Sequence, residues 1–318
     1  MRSKLNFLTS ILTASLLTII MGGLSTMMIL VSLKMVEDGK SDSLFKTPIY
    51  AAIVFVGLLI WVIWIYLKNC KTVILSNKGL HIKSVLGSTF YQWSEVKSVS
   101  LLDKHYLYGS AMEATTIKFK NGEVYHFMPF YYSNADYLRR CLSKANLSST
   151  PNSIDFETLK NRNPRSLQKI DYSEMKKIGG NPVFSFNGIF LYTVLGFVIY
   201  QIVFNPSENF LNQCIGLGFA GLLFFYWLGY QLHYFYIDDK NLVVKNYVWI
   251  WRTKRYPLNQ IKQGVFEMPH KMSTSFRIVN TDFTSKLFPG GSIRTKNWVK
   301  FIEKLKKNKI SVRNEAVY

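Results

Sequence analysis

A chain of 318 residues that is 48% hydrophobic and carries a formal net charge of +20 contains long uncharged apolar runs and basic, strand-patterned stretches, with neither kind dominating. That balance excludes a wholly soluble protein and a wholly embedded one. Three cysteines, Cys70, Cys141 and Cys214, suggest neither a disulfide nor a metal site, and a reducing compartment is expected.

The first apolar run, Phe7 to Leu33, follows Arg2 and Lys4 and is softened by scattered Ser, Thr and Gly. It exceeds the ~7–15-residue core of a signal peptide and has no convincing small-residue cleavage site, so it is read as a retained span. Ile49 to Leu67, Asn187 to Phe204 and Leu211 to Leu232 contain no charged residue, and each approaches the ~20 residues that cross a ~30 Å hydrocarbon layer. The spans therefore form two hairpins. The loop Asn205 to Phe210 lacks Lys and Arg, whereas the chain past Leu232 is crowded with them. The positive-inside rule then sets both hairpin loops outside and both termini in the cytoplasm. Cys70, just past the second span, is a candidate for acylation, although an unmodified thiol is expected.

After the second span, alternation predicts strands at Thr72 to Leu75, Leu80 to Ser84, Thr89 to Trp93, Val96 to Leu101, Thr115 to Lys120 and Glu123 to Met128. Asn121-Gly122 reads as a type I′ hairpin turn. Ser133 and Asn134 are candidate caps for a helix carrying Tyr137, Leu138, Cys141 and Leu142 at helical spacing. Leu147 to Pro182, with Pro151, Pro164 and Gly179-Gly180, reads as a linker, in which Ile154 to Leu159 and Ser173 to Ile178 are candidate short interfacial turns. Beyond the fourth span, strands are expected at Tyr234 to Ile237, Leu242 to Trp251, Lys254 to Leu258, Ile261 to Glu267, Ser275 to Asn280 and Thr284 to Phe288. A closing helix, Lys296 to Lys309, should bury Trp298, Val299, Phe301, Ile302 and Leu305.

The two halves follow one plan, which is read as an internal duplication. Lys78-Gly79-Leu80-His81-Ile82-Lys83 lines up with Lys240-Asn241-Leu242-Val243-Val244-Lys245 at an offset of 162. Tyr91, Val96 and Lys97 line up with Tyr256, Ile261 and Lys262 at 165, so the second half carries three extra residues between these points. An insertion there is expected in a hairpin loop. The order of a membrane hairpin, a KGL-I-K hairpin, a Tyr-x-Trp-x-Glu-Val-Lys strand, further strands and a closing helix resembles the bacterial pleckstrin-homology-like (PH-like) domain of membrane proteins. The resemblance covers about Lys71 to Ala145 and His233 to Lys309. It implies a multi-pass α-helical membrane protein with two α+β PH-like β-rolls, each closed by a C-terminal helix, and a binding or assembly role without general catalytic activity. The expected organisation is a first hairpin (1–70), first module (71–146), polar linker (147–186), second hairpin (187–232), second module (233–310) and tail (311–318).

Few residues suggest chemistry. Gly216-Leu217-Gly218-Phe219-Ala220-Gly221 matches a dinucleotide-binding spacing but lies inside an apolar run with no preceding strand. Gly216 and Ala220 are better read as helix-packing positions. His81, His105, His126, His233 and His270 lack metal-ligand spacing, and no catalytic set assembles. No enzyme activity, metal, cofactor or small-molecule substrate is expected. The clearest spans carry only Gln201, Asn212 and Gln213 as polar candidates near their outer ends, which argues against an ion pathway.

The best candidate site is KNYVWIWRTKR, where Lys245, Trp249, Trp251, Arg252, Lys254 and Arg255 combine cations with interfacial aromatics suited to an anionic leaflet. Lys245, Arg252 and Lys254 also resemble the spaced basic residues with which eukaryotic PH domains hold inositol phosphates. The opposing reading is a solvated basic face with the tryptophans in the core. Nucleic acid is not the expected partner, because the aromatic residues read as strand-core positions. The leading expectation is a non-enzymatic membrane scaffold or adaptor that binds a protein partner or self-assembles. Anionic-lipid sensing through the basic hairpin and a subunit of a transport or export complex are the alternatives.

Overall fold

The computed structural model describes residues 2–7, 13–43, 47–85, 87–107, 110–147, 172–206, 210–269 and 272–316. It divides into two compact units, Met1–His105 with Met112–Arg162, and Tyr106–Ala111 with Asn163–Tyr318. Ile154 to Leu159, His270 and the side chain of Asn212 lie outside the described residues.

In the first unit α1 (Thr13–Glu37) packs along α2 (Ile49–Asn69), both long and apolar enough to cross a membrane. Their apolar side chains face outward. Next come β1 (Thr72–Ser76), β2 (Gly79–Ser84) and β3 (Gly87–Gln92), an antiparallel meander. A second sheet has the order β4 (Val96–Leu107), β5 (Ser110–Phe119), β6 (Val124–Phe127). Both strands of the β4–β5 hairpin run further than the sequence alternation predicts. The period-2 pattern buries Val73, Leu75, Leu80 and Ile82. α3 (Ala135–Leu147) closes the module with Leu138, Cys141, Leu142 and Ala145 buried at helical spacing. Its Arg139 is buried as well, and is stabilised by donating to Glu113 and, at 2.9 Å, to Thr115 Oγ1.

The expected caps have another use. Asn134 Oδ1 accepts from the Lys4 N–H at 2.8 Å, and Asn134 Nδ2 donates to the Arg2 carbonyl at 3.1 Å. Arg2 bridges to Ile74, and Leu5 to Tyr132. The segment before α1 thus joins the sheet that follows α2. The Asn121-Gly122 turn is not type I′, since only Gly122 takes a positive φ, +88°. Phe119 N donates to Glu123 O at 2.9 Å and Gly122 N to Phe119 O at 3.2 Å, so the loop needs one left-handed residue rather than two.

The second unit begins with β7 (Lys176–Ile178), within the stretch expected to be linker. α4 (Phe186–Phe204) and α5 (Phe210–Tyr230) follow, again long and apolar enough to span a bilayer. Then come β8 (His233–Ile237), β9 (Asn241–Asn246), β10 (Lys254–Pro257), β11 (Ile261–Glu267), β12 (Ser275–Asn280), β13 (Ser285–Pro289), α6 (Thr295–Lys307) and β14 (Ser311–Asn314). The sheets have orders β10-β9-β8-β7 and β13-β12-β11-β14. The supposed tail is therefore a strand, β14, parallel to β11. The stretch Leu242 to Trp251 is strand only as far as Asn246.

Phe235, Phe266, Phe276, Trp298 and Phe301 form the aromatic centre of this unit's core. Val299 is exposed, on the opposite face of α6 from Trp298, Phe301, Ile302 and Leu305. In α5 the glycine that faces α4 is Gly221, whose Cβ position lies 3.4 Å from Val198. Gly216, expected to pack, has nothing within 4 Å. Gln213 Nε2 bridges the Gln201 and Asn205 carbonyls at 3.0 and 2.9 Å, across that end of the hairpin.

Candidate functional site

The site grows from one buried side chain. Asn246, at the end of β9, donates through Nδ2 to the Gly229 carbonyl at 2.9 Å. Its Oδ1 accepts from the Val248 and Trp249 N–H groups at 2.8 and 2.9 Å. This Asx-type turn folds the connection Tyr247–Thr253 back along α5. Val248 covers Gly229, where an added Cβ would meet Val248 Cγ1 at 3.1 Å. The Trp249 ring lies 5.2 Å from Phe225 and 6.0 Å from Tyr226, one turn or more before the end of α5. Ile250 and Trp251 occupy the tip, each 70% exposed.

The hairpin ends are fixed to the same module. Gln231 Oε1 accepts from Ser273 Oγ at 2.8 Å, and Asn187 Nδ2 donates to Ser273 Oγ at 2.9 Å. Gly291 N donates to the Gln231 carbonyl at 2.7 Å, and Tyr230 OH to the Leu287 carbonyl at 3.3 Å.

Beside the loop is a cavity of about 290 Å³ whose walls include Tyr230, His233, Trp249, Arg252, Lys254 and Lys286. Burial, then the neighbouring Lys286 and Arg252, pushes the Lys254 ammonium down to about 8. Burial likewise holds His233 at about 4, so its ring is neutral near pH 7. The Arg252 guanidinium lies 5.6 Å from the Trp249 ring centre. The Trp249 indole N–H is buried without a hydrogen-bond acceptor.

Of the six residues singled out from the sequence, Trp249, Arg252 and Lys254 line this cavity and Trp251 stands on the exposed tip. Lys245 and Arg255 do not join them. Lys245 Nζ sits 4.0 Å from the Tyr172 ring centre, and Arg255 donates to Asn241 Oδ1 at 2.9 and 3.0 Å. Strand alternation is the reason, since Lys254 and Arg255 are neighbours in β10 and must face opposite sides. Lys286, His233 and Tyr230 were missed. They come from β13, β8 and α5, and no local pattern links them to the hairpin.

The first unit has a groove at the corresponding place, between β3 and β6, of about 540 Å³. There Tyr91 OH donates to Glu123 Oε2 at 2.6 Å, and burial with Glu123 nearby raises the phenol to about 12. Among the described residues, no three His, Cys, Asp or Glu side chains gather to hold a metal ion. His105 and His126 stack at 3.9 Å, with Thr116 Oγ1 3.1 Å from His126 Nδ1. Burial raises the Cys70 thiol to about 11, which disfavours the thiolate.

No protein-family model matches the chain, and no curated protein matches it. Architecture alone defines the class: among the described residues, four helices long and apolar enough to cross a membrane, joined to small sheets that are mainly antiparallel.

Proposed function

We propose that the chain is an integral membrane protein built twice on one plan, a helix hairpin followed by a PH-like module, with both modules in the cytoplasm. It acts without catalysis, its second module sensing anionic lipid at the inner leaflet. The observation that carries this reading is the Tyr247–Thr253 loop. Trp249 packs on Phe225 and Tyr226, five and four residues before the end of α5. At 1.5 Å per residue these lie roughly 6–8 Å inside that end, so a bilayer around α5 has Ile250 and Trp251 at headgroup depth. Exposed Trp and Ile beside Arg252 and Lys254 suit that zone. Each nearby cation contributes about 1 kcal/mol on an anionic surface.

The test is the environment of the loop in the full-length protein. With the three native cysteines replaced by serine, an environment-sensitive dye on Ile250→Cys should emit further to the blue in liposomes containing anionic lipid than in zwitterionic ones. A dye on Lys307→Cys should not respond. If the two positions behave alike, the loop does not meet the bilayer and the lipid-sensing reading fails.

A further inference from the structure

The cavity carries an electrostatic arrangement that the fold alone does not need. Lys254, Lys286 and Arg252 share its wall, and the charges of Lys286 and Arg252 both act on Lys254. An ammonium only donates, and Lys254 Nζ lies over the Phe288 ring, 5.3 Å from its centre, so an anion between the two lysines would serve both charges. Among the described residues no carboxylate pairs with Arg252, Lys254 or Lys286. The Trp249 indole N–H, on the same wall, is a buried donor with no acceptor. Four groups that only donate thus surround one space. Its volume is near the lower end of ligand pockets, ~300–1,000 Å³, which suits a headgroup better than a large cofactor.

The first unit supplies an internal comparison. Ile82 faces Thr89 across β2–β3 as Val244 faces Lys254 across β9–β10. Phe119 N donates to Glu123 O as Asn280 N donates to Thr284 O, closing the turns before β6 and β13. By these pairings Thr89 stands where the second unit has Lys254, and Tyr125 where it has Lys286. The same scaffold therefore folds without the cations.

The geometry points to a phosphate site: the cavity takes the phosphate group of an anionic membrane lipid, clamped by Lys254 and Lys286, with Arg252 as a third charge and the Trp249 indole as a neutral donor. That the phosphate arrives on a lipid rests on the reading of the loop given above. Charge-assisted hydrogen bonds to phosphate oxygens are the strong kind, and three cations gathered at one cavity favour a bound anion over diffuse surface attraction.

The experiment uses full-length protein in a neutral detergent, with native mass spectrometry and titration of dioctanoyl phosphatidic acid, dioctanoyl phosphatidylglycerol, dioctanoyl phosphatidylcholine and inorganic phosphate. One anionic lipid per chain should be retained, bound well ahead of phosphatidylcholine. The Lys254→Ala/Lys286→Ala double variant should weaken it roughly tenfold or more, whereas Lys306→Ala/Lys307→Ala, an equal loss of charge, should not. Unliganded, the cavity variant should melt no lower than the parent because like-charge repulsion has been removed, so lost binding is not lost folding. Equal weakening by both double variants would overturn the site in favour of general charge attraction. Inorganic phosphate binding as tightly as the lipids would overturn the lipid source. Because detergent removes the bilayer, a positive result here beside a silent dye at position 250 would sink the leaflet reading and leave the phosphate site standing.

Discussion

Lys254 is the residue at which the proposed phosphate site and the pH dependence of stability meet. Its ammonium is held near 8, against an ordinary value of 10.5, by burial first and by Lys286 and Arg252 next, while the neutral His233 shares the cavity wall. Below pH 8 both folded and unfolded chains hold the proton, and the folded state carries the full penalty. Between about pH 8 and 10.5 the unfolded chain binds more protons, so this group makes stability rise with pH across that window. Thermal unfolding in detergent from pH 7.5 to 10.5 should show the rise, and Lys254→Met should flatten it. Saturating phosphatidic acid should also suppress it, by restoring the proton to the lysine. A slope unchanged in Lys254→Met would mean that another group is titrating. Half of this site was legible in the sequence, because Trp249, Arg252 and Lys254 are clustered in one hairpin. Adjacent residues of a strand cannot share a face, so alternation alone would have separated Arg255 from Lys254. Lys286 could not be placed beside them until the pairing of β12 with β13 fixed which way it points.

The apolar helices were readable as elements, since an uncharged run of about twenty residues has few alternative fates. So were the longer strands. β7 and β14 were not, because each is only three or four residues long and exists through its partner: β7 through β8, β14 through β11. β7 nevertheless has an essential place. Ile178 belongs to the core, and just beyond it Gly180 is so close to the Ser292 backbone that an added Cβ would sit 1.5 Å from the carbonyl oxygen. The Gly180 carbonyl accepts from Tyr247 OH at 2.8 Å, which ties β7 to the loop of the candidate site. Gly180→Ala should therefore lower stability by about 2 kcal/mol or more. Gly196→Ala in α4, where nothing lies within 4 Å, should be nearly neutral. Denaturant unfolding followed by tryptophan fluorescence separates the two, and equal effects would show that the β7 junction yields easily. The turn before β13 shows the limit of motif reading. Phe283, not glycine, takes the positive φ of +60° there, with its ring buried and Lys262 Nζ 4.0 Å from the ring centre.

For the whole molecule, the proposed topology makes a prediction independent of any ligand. In a chain whose native cysteines are serine, Pro206→Cys should react with a membrane-impermeant maleimide in intact cells, and Lys307→Cys only after permeabilisation. The reverse pattern would invert the assignment of sides and remove the inner leaflet from the functional reading. A feature common to both units bears on how such a protein is made. The strand or bridge before each helix pair closes onto the strand after it: Arg2 onto Ile74, and Lys176–Ile178 onto Phe235–Ile237. Neighbours in the sheet are thus separated in the chain by two helices long and apolar enough to cross a membrane, and the sheet edge stays open until both have been made. Had only one helix of a pair crossed, the two halves of that edge would be stranded on opposite faces of the bilayer and could not meet. In the proposed topology, closing the sheet would therefore work as a parity check on insertion. There a miscounted hairpin would leave an unpaired β-edge, which is open to aggregation.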